Sequence, residues 1–241
     1  MPYGGSRFAI YFAPDPASAL WRFGSSILSY DASLALGCDP LVPTFWTEDE
    51  WWDRTEEPRR YGFHATLKAP FHLRDGAHEE ELFAAFDLFA AQQKPFVIEG
   101  LRVCCLETFV ALVPVGETGK ISRLAADAVR NFDVMRAPLS EADLARRLSS
   151  PLSQRQQQYL QEWGYPYVFE DFRFHMTLTG PLVPEECAKA ERELKSLFAA
   201  SVGPGPVAVD SIALFRQDRR DGRFRIVRRA PLLAPRNAPM R

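Results

Sequence analysis

Hydrophobic and polar positions alternate in short runs and recur every third or fourth residue in longer ones, so the chain reads as mixed strand and helix. Arg7-Phe-Ala-Ile-Tyr-Phe12 is a strand signal, stopped by Pro14 and Pro16, which lack the N–H a ladder needs. Residues from about Ala17 to Leu36 read as helical. Thr47-x-x-Glu50 matches a capping box and predicts a short helix within residues 45–54. Leu82, Phe83, Phe86 and Phe89 fall at i, i+1, i+4 and i+7, giving one apolar face to a helix predicted over Glu79–Gln92. Residues 96–104 and 108–115 follow as strands.

The pattern then restarts. Thr108-Phe-Val-Ala-Leu-Val-Pro114 resembles Arg7-Phe-Ala-Ile-Tyr-Phe-Ala-Pro14, and a helix from about Lys120 to Phe132 follows it. A strand at about 172–179 leads to Pro184 and a helix through about Ala200. Strands 206–216 and 223–229 close the unit across a turn ending in Asp221-Gly222. Each half thus runs strand, helix, strand, helix, strand, which predicts a duplicated α+β chain of two pseudo-equivalent lobes. Lobe one is expected over about 7–105 and lobe two over about 106–233, as a single bilobal domain within 1–241. The second half carries an insertion at about 140–163 that reads as two short helices broken at Pro151, with Ser153-x-x-Gln156 capping the latter. It suits a lid, an oligomer contact or a plain surface elaboration, and residues 234–241 read as a flexible tail.

Composition narrows the class. Hydrophobic residues make up 46% and charged residues 25% of 241, ordinary for a globular chain, and the formal net charge of −2 argues against a dedicated binder of long nucleic acid. No apolar stretch is long enough for a transmembrane helix and no signal-peptide pattern opens the chain, so a cytoplasmic protein without a membrane partner is expected. Cys38, Cys104, Cys105 and Cys187 form no C-x-x-C pair and read as small buried hydrophobes of a reducing compartment.

The chemistry lies in a phrase written twice. Residues 63–71 read Phe-His-Ala-Thr-Leu-Lys-Ala-Pro-Phe and residues 174–182 read Phe-His-Met-Thr-Leu-Thr-Gly-Pro-Leu. The shared frame, F-H-x-T-L-x-x-P-[FL], holds two of the chain's four histidines. Strand alternation sends Phe63, Ala65 and Leu67 to the core and His64, Thr66 and Lys68 to the other face; Arg173, His175 and Thr177 share the corresponding face of the second copy. A lone strand histidine is usually structural, but two on matched polar faces suit phosphoester chemistry. One imidazole accepts a proton while the other donates, threonine hydroxyls hold phosphoryl oxygens, and Arg173, Lys68 and, less directly, Arg60 offer positive charge.

With both H-x-T motifs in a duplicated α+β chain, the sequence resembles the two-histidine (2H) phosphoesterases. Arg60-Tyr-Gly-Phe-His-Ala-Thr-Leu-Lys68 and Phe172-Arg-Phe-His-Met-Thr-Leu-Thr-Gly-Pro-Leu182 resemble the branch associated with phosphonate-utilisation operons. The resemblance implies two pseudo-twofold-related lobes of antiparallel sheet with flanking helices, motif strands lining a central cleft, and catalysis without a metal or other cofactor. His64, His175, Thr66 and Thr177 would be catalytic, on a small phosphorylated substrate such as a cyclic phosphate or a short oligonucleotide.

Other signals are weaker. His72 and His78 read as loop residues, and no third histidine or carboxylate joins His64 and His175 on their faces to complete a metal site. There is no G-x-S-x-G, P-loop or G-x-G-x-x-G. Seven arginines crowd residues 216–229, as a solvated hairpin or as an anion-attracting rim. Trp46, Trp51 and Trp52 could stack on a base but better suit packing of a helix. Three functions remain: a small-molecule phosphodiesterase, possible in phosphonate or phosphoribosyl metabolism; an RNA-end 2′,5′ or 2′,3′-cyclic phosphodiesterase; or a non-catalytic phosphate-ligand binder.

Overall fold

A computed structural model describes residues 5–149 and 151–233. The first half runs β1 (Arg7–Phe12), α1 (Ala19–Leu28), α2 (Glu48–Arg54), α3 (Glu56–Tyr61), β2 (Ala65–His72), α4 (Glu79–Gln92), β3 (Phe96–Ile98) and β4 (Gly100–Leu106). The second runs β5 (Phe109–Val115), α5 (Gly119–Asp133), α6 (Glu141–Leu148), α7 (Gln154–Trp163), β6 (Met176–Thr177), α8 (Pro184–Ser201), β7 (Val207–Val209), β8 (Ser211–Gln217) and β9 (Arg225–Pro231).

Two antiparallel sheets, ordered β2-β1-β8-β9 and β4-β5-β6, are joined by the small pair β3-β7. The leading strand of each half, β1 or β5, has its own motif strand on one side and the closing strand of the opposite half on the other. The equivalents β3 and β7 pair with each other, Val97 opposite Ala208, which places them astride the pseudo-twofold axis. Duplication is therefore visible in topology, but each sheet draws on both halves of the sequence. The boundary expected near residue 105 is not where the sheets divide. α4 packs on β8 and β9 while its counterpart α8 packs on β4 and β5, and one apolar core runs through both lobes.

Local chemistry explains most boundaries. Thr47 and Glu50 close the expected capping box on α2, and Ser153 with Gln156 does the same for α7. The insertion is two helices, as the break at Pro151 predicts. The helix expected to Leu36 instead ends at Leu28. Ser29 turns left-handed (φ 52°), and the Asp31 carboxylate accepts the amides of Ser33 and Leu34 and the Trp21 indole N–H, so an Asx turn outcompetes the helix. The second motif strand is also shorter than residues 172–179. After Thr177 the Thr179 hydroxyl accepts the Val110 amide in place of a backbone carbonyl, and upstream a 3₁₀ turn occupies Phe169–Asp171.

Two other expectations change. Cys105 and Cys187 form a disulfide, tying β4 to α8, while Cys38 and Cys104 are free. A separation of 82 residues hid that pairing. The Arg-rich hairpin is a mesh of ion pairs: Arg216 with Glu79, Arg225 with Asp218, Arg220 with Asp143, and Arg228 with Asp87. Trp51 is buried with its indole donating to the Ile27 carbonyl, and Trp46 packs against it, so both serve packing. The tail 234–241 lies outside the described residues. Among the described residues no helix is long and apolar enough to cross a membrane.

Candidate active site

The two motifs meet at one cleft. His64 and Thr66 belong to the entry of β2, His175 and Thr177 to that of β6. Two adjoining hollows of about 610 and 570 Å³ open there: His64 and Thr177 line the first, His175 and Arg173 the second, and Thr66 lines both. The shared wall is aromatic, from Phe109, Tyr165 and Tyr167.

Each imidazole is oriented by its own backbone in the same way. His64 Nδ1–H donates to the Gly62 carbonyl at 2.9 Å, and His175 Nδ1–H to the Arg173 carbonyl at 2.8 Å. A carbonyl can only accept, so Nδ1 carries the proton and Nε2 is left as the basic nitrogen. In the first copy Nε2 lies 3.3 Å from the Thr66 hydroxyl. Gly62 makes this approach possible: its φ is 75°, and a Cβ there would lie 2.7 Å from Ala32 Cβ.

Burial favours the neutral form of both rings. Burial lowers the His64 pKa from 6.5 to about 4, the Gly62 bond opposes this, and the nearby His175 lowers it further. Burial also lowers His175, against the bond to Arg173. Tyr11 stacks on His64 with centroids 3.7 Å apart and fixes the ring plane. Burial raises the Tyr11 pKa well above its ordinary value, keeping the phenol neutral.

Of the seven residues singled out in the sequence, five meet at the cleft and two do not. Arg173 is exposed beside His175. Lys68 is buried, and its ammonium binds Asp133 and the Val129 carbonyl, both at 3.3 Å. Two register irregularities in the β1–β2 ladder flank the Ile10–Lys68 pairing, so simple alternation past Thr66 fails. Arg60 lies in the last turn of α3, exposed and 4.0 Å from Glu56, so strand parity does not apply to it. Sequence reading missed Tyr11, Tyr165 and Tyr167, and also Arg7, Arg146 and Arg147, which line the His64 hollow. Tyr11 and Arg7 had a usable signal, an equal-parity pair on a strand. The others come from the insertion and the segment after it, which carry no motif.

Comparison with known proteins gives the chain a family. A family model described as a protein of unknown function, DUF1045, matches residues 66–225. The chain belongs to this family. The DUF1045 chain is also 38% identical over 220 residues to a ribose 1,5-bisphosphate phosphokinase PhnN of Janthinobacterium sp. (strain Marseille), covering 88% of this chain and 48% of that protein. It spans about half the length of the curated relatives it matches. Solved structures similar to it include TT0787 of Thermus thermophilus, 16% identical over 95% of this chain and 100% of that one, with a TM-score of 0.46. Another is E. coli LigT complexed with 3′-AMP, 12% identical over 95% and 99%, with a TM-score of 0.42. Neither speaks to what the DUF1045 chain binds. Its paired motifs and duplicated strand–helix order are the features by which the sequence resembles the two-histidine phosphoesterases.

Proposed function

We propose that this chain is a phosphodiesterase that opens a small cyclic phosphoester by two-histidine acid–base chemistry, without a metal. The observation that carries it is the matched pair of imidazoles, each with Nδ1 pinned to a carbonyl two residues upstream and Nε2 left for chemistry at one cleft. The oxygen of an attacking water forms a bond to phosphorus while one neutral Nε2 takes its proton. The other histidine, as imidazolium, protonates the ester oxygen as its bond to phosphorus breaks. Thr66 and Thr177 donate to the non-bridging oxygens, and Arg173 offsets charge that builds there. An anionic substrate itself favours the imidazolium that burial disfavours.

The relation to a ribose 1,5-bisphosphate phosphokinase supports a phosphorylated ribose as the substrate's frame and a place in phosphonate or phosphoribosyl metabolism. Such charged metabolites do not cross membranes unaided, which supports a cytoplasmic reaction. The ion-paired hairpin leaves little free charge for an oligonucleotide, which disfavours RNA-end processing.

The deciding experiment is turnover of 2′,3′-cyclic nucleotides, ribose cyclic phosphates and 2′,5′-linked oligonucleotides in excess EDTA. Turnover of a cyclic phosphate is expected to survive the chelator. His64→Ala and His175→Ala should each lower kcat by about 10²–10⁴-fold with the fold retained. Full rate in either variant would refute the acid–base assignment, and loss of activity in EDTA restored by a divalent ion would refute the metal-free chemistry.

A further inference from the structure

The insertion puts positive charge where core packing does not require it. Ser140 caps α6 by accepting the Asp143 amide, and Glu141 and Asp143 suit its first turn, yet the helix buries none of its residues. Its last turn instead brings Arg146 and Arg147 to the wall of the His64 hollow, and β1 brings Arg7 to the same wall. Glu57 is the only carboxylate among the described residues that line that hollow, and Asp143 lies behind the arginines in the adjoining one.

The three are unequally engaged. Arg7 donates from Nε and Nη2 to the Gln217 amide oxygen. Arg146 pairs with Asp143 at 2.7 Å, a carboxylate that Arg220 also reaches at 3.1 Å. Arg147 lies over the Tyr165 ring, 5.0 Å from its centroid, and its buried Nε has no hydrogen-bond partner among the described residues. Nor does any carboxylate there come within ion-pairing distance of it. A guanidinium does not escape burial by releasing its proton, so Arg147 keeps its positive charge at the hollow wall without a paired carboxylate among the described residues.

We propose that Arg7, Arg146 and Arg147 form a subsite for a second phosphate carried by the same molecule whose phosphodiester lies between His64 and His175. The preferred substrate class is then a cyclic sugar phosphate bearing a further phosphomonoester. This rests on the phosphodiesterase reading and names the substrate group that reading leaves open. The planar fork of arginine suits a terminal phosphate, which offers it two oxygens at once. The insertion is accordingly a specificity element.

The test compares adenosine 2′,3′-cyclic phosphate with its 5′-phosphorylated form on the full chain. Wild type should favour the 5′-phosphorylated compound by roughly 10- to 100-fold in kcat/KM, chiefly through KM. Arg147→Ala should remove most of that preference, Arg147→Lys should keep part of it, and thermal melts should confirm that both fold. Equal kcat/KM for the two compounds in wild type, or a proportional loss on both in Arg147→Ala, would overturn the subsite. If neither compound is cleaved, nor any ribose cyclic phosphate or 2′,5′-linked oligonucleotide, the catalytic reading has failed, and calorimetry on the same pair decides the subsite separately. Tighter binding of the 5′-phosphorylated compound, lost in Arg147→Ala, supports it, and equal affinity overturns it.

Discussion

Two local features set the motif imidazoles, a carbonyl two residues upstream of each and, for His64, the Thr66 hydroxyl two residues downstream; a third is burial that disfavours charge. Local spacing encodes the first two, which is why H-x-T could be read without a structure. Burial comes from residues far away in sequence, such as Tyr11, and it carries a pH consequence. Burial lowers the His64 pKa to about 4, whereas a phosphoester anion beside the ring would favour its imidazolium. The basic limb of kcat should therefore lie at higher pH than that of kcat/KM, since the first reports the complex and the second the free protein. Coincident limbs would show that substrate charge does not reach these rings. The same shift bears on folding. Because the folded pKa is below the unfolded value, its stability contribution is complete above about pH 6.5 and is lost as pH falls towards 4. Melting temperature should fall over that window, and less steeply in His64→Asn. Lys68 and Arg60 mark where reading by parity ends, one at ladder irregularities and one on a helix.

Helices with a capping box, α2 and α7, or a clear apolar period, α4, were legible in sequence because their signals are local. The end of α1 was not, since an Asx turn at Asp31 competes with continued helix. One residue of α1 matters to the site. A Cβ on Gly24 would lie 2.2 Å from the Phe63 ring, so the helix seats directly on the residue before His64. Gly24→Ala should destabilise the protein by about 1–3 kcal/mol from overpacking, less the ~1 kcal/mol that alanine returns in helix propensity. Calorimetric melting would show it, together with a lower kcat as Phe63 displaces His64. A raised melting temperature would mean the contact is not that close.

At the scale of the whole molecule, strands cross between the halves. The first sheet needs β8 and β9, and the second needs β4. Residues 1–105 alone should therefore fail to fold, showing no cooperative thermal transition and poor amide dispersion by NMR. A stable, cooperatively melting fragment would contradict the exchange. The repeated phrase, most of the strands and helices, and the H-x-T pairs His64–Thr66 and His175–Thr177 were legible along the chain, because period, cap and motif are properties of neighbours; α3 and the splitting of 96–104 and 206–216 into two strands each were not. Long-range packing set which strands close each sheet, that Cys105 meets Cys187, that Lys68 pairs with Asp133, and that Arg7, Arg146 and Arg147 share the wall of the His64 hollow. Those outcomes depend on contacts between residues distant in sequence, whose pairing no local pattern encodes.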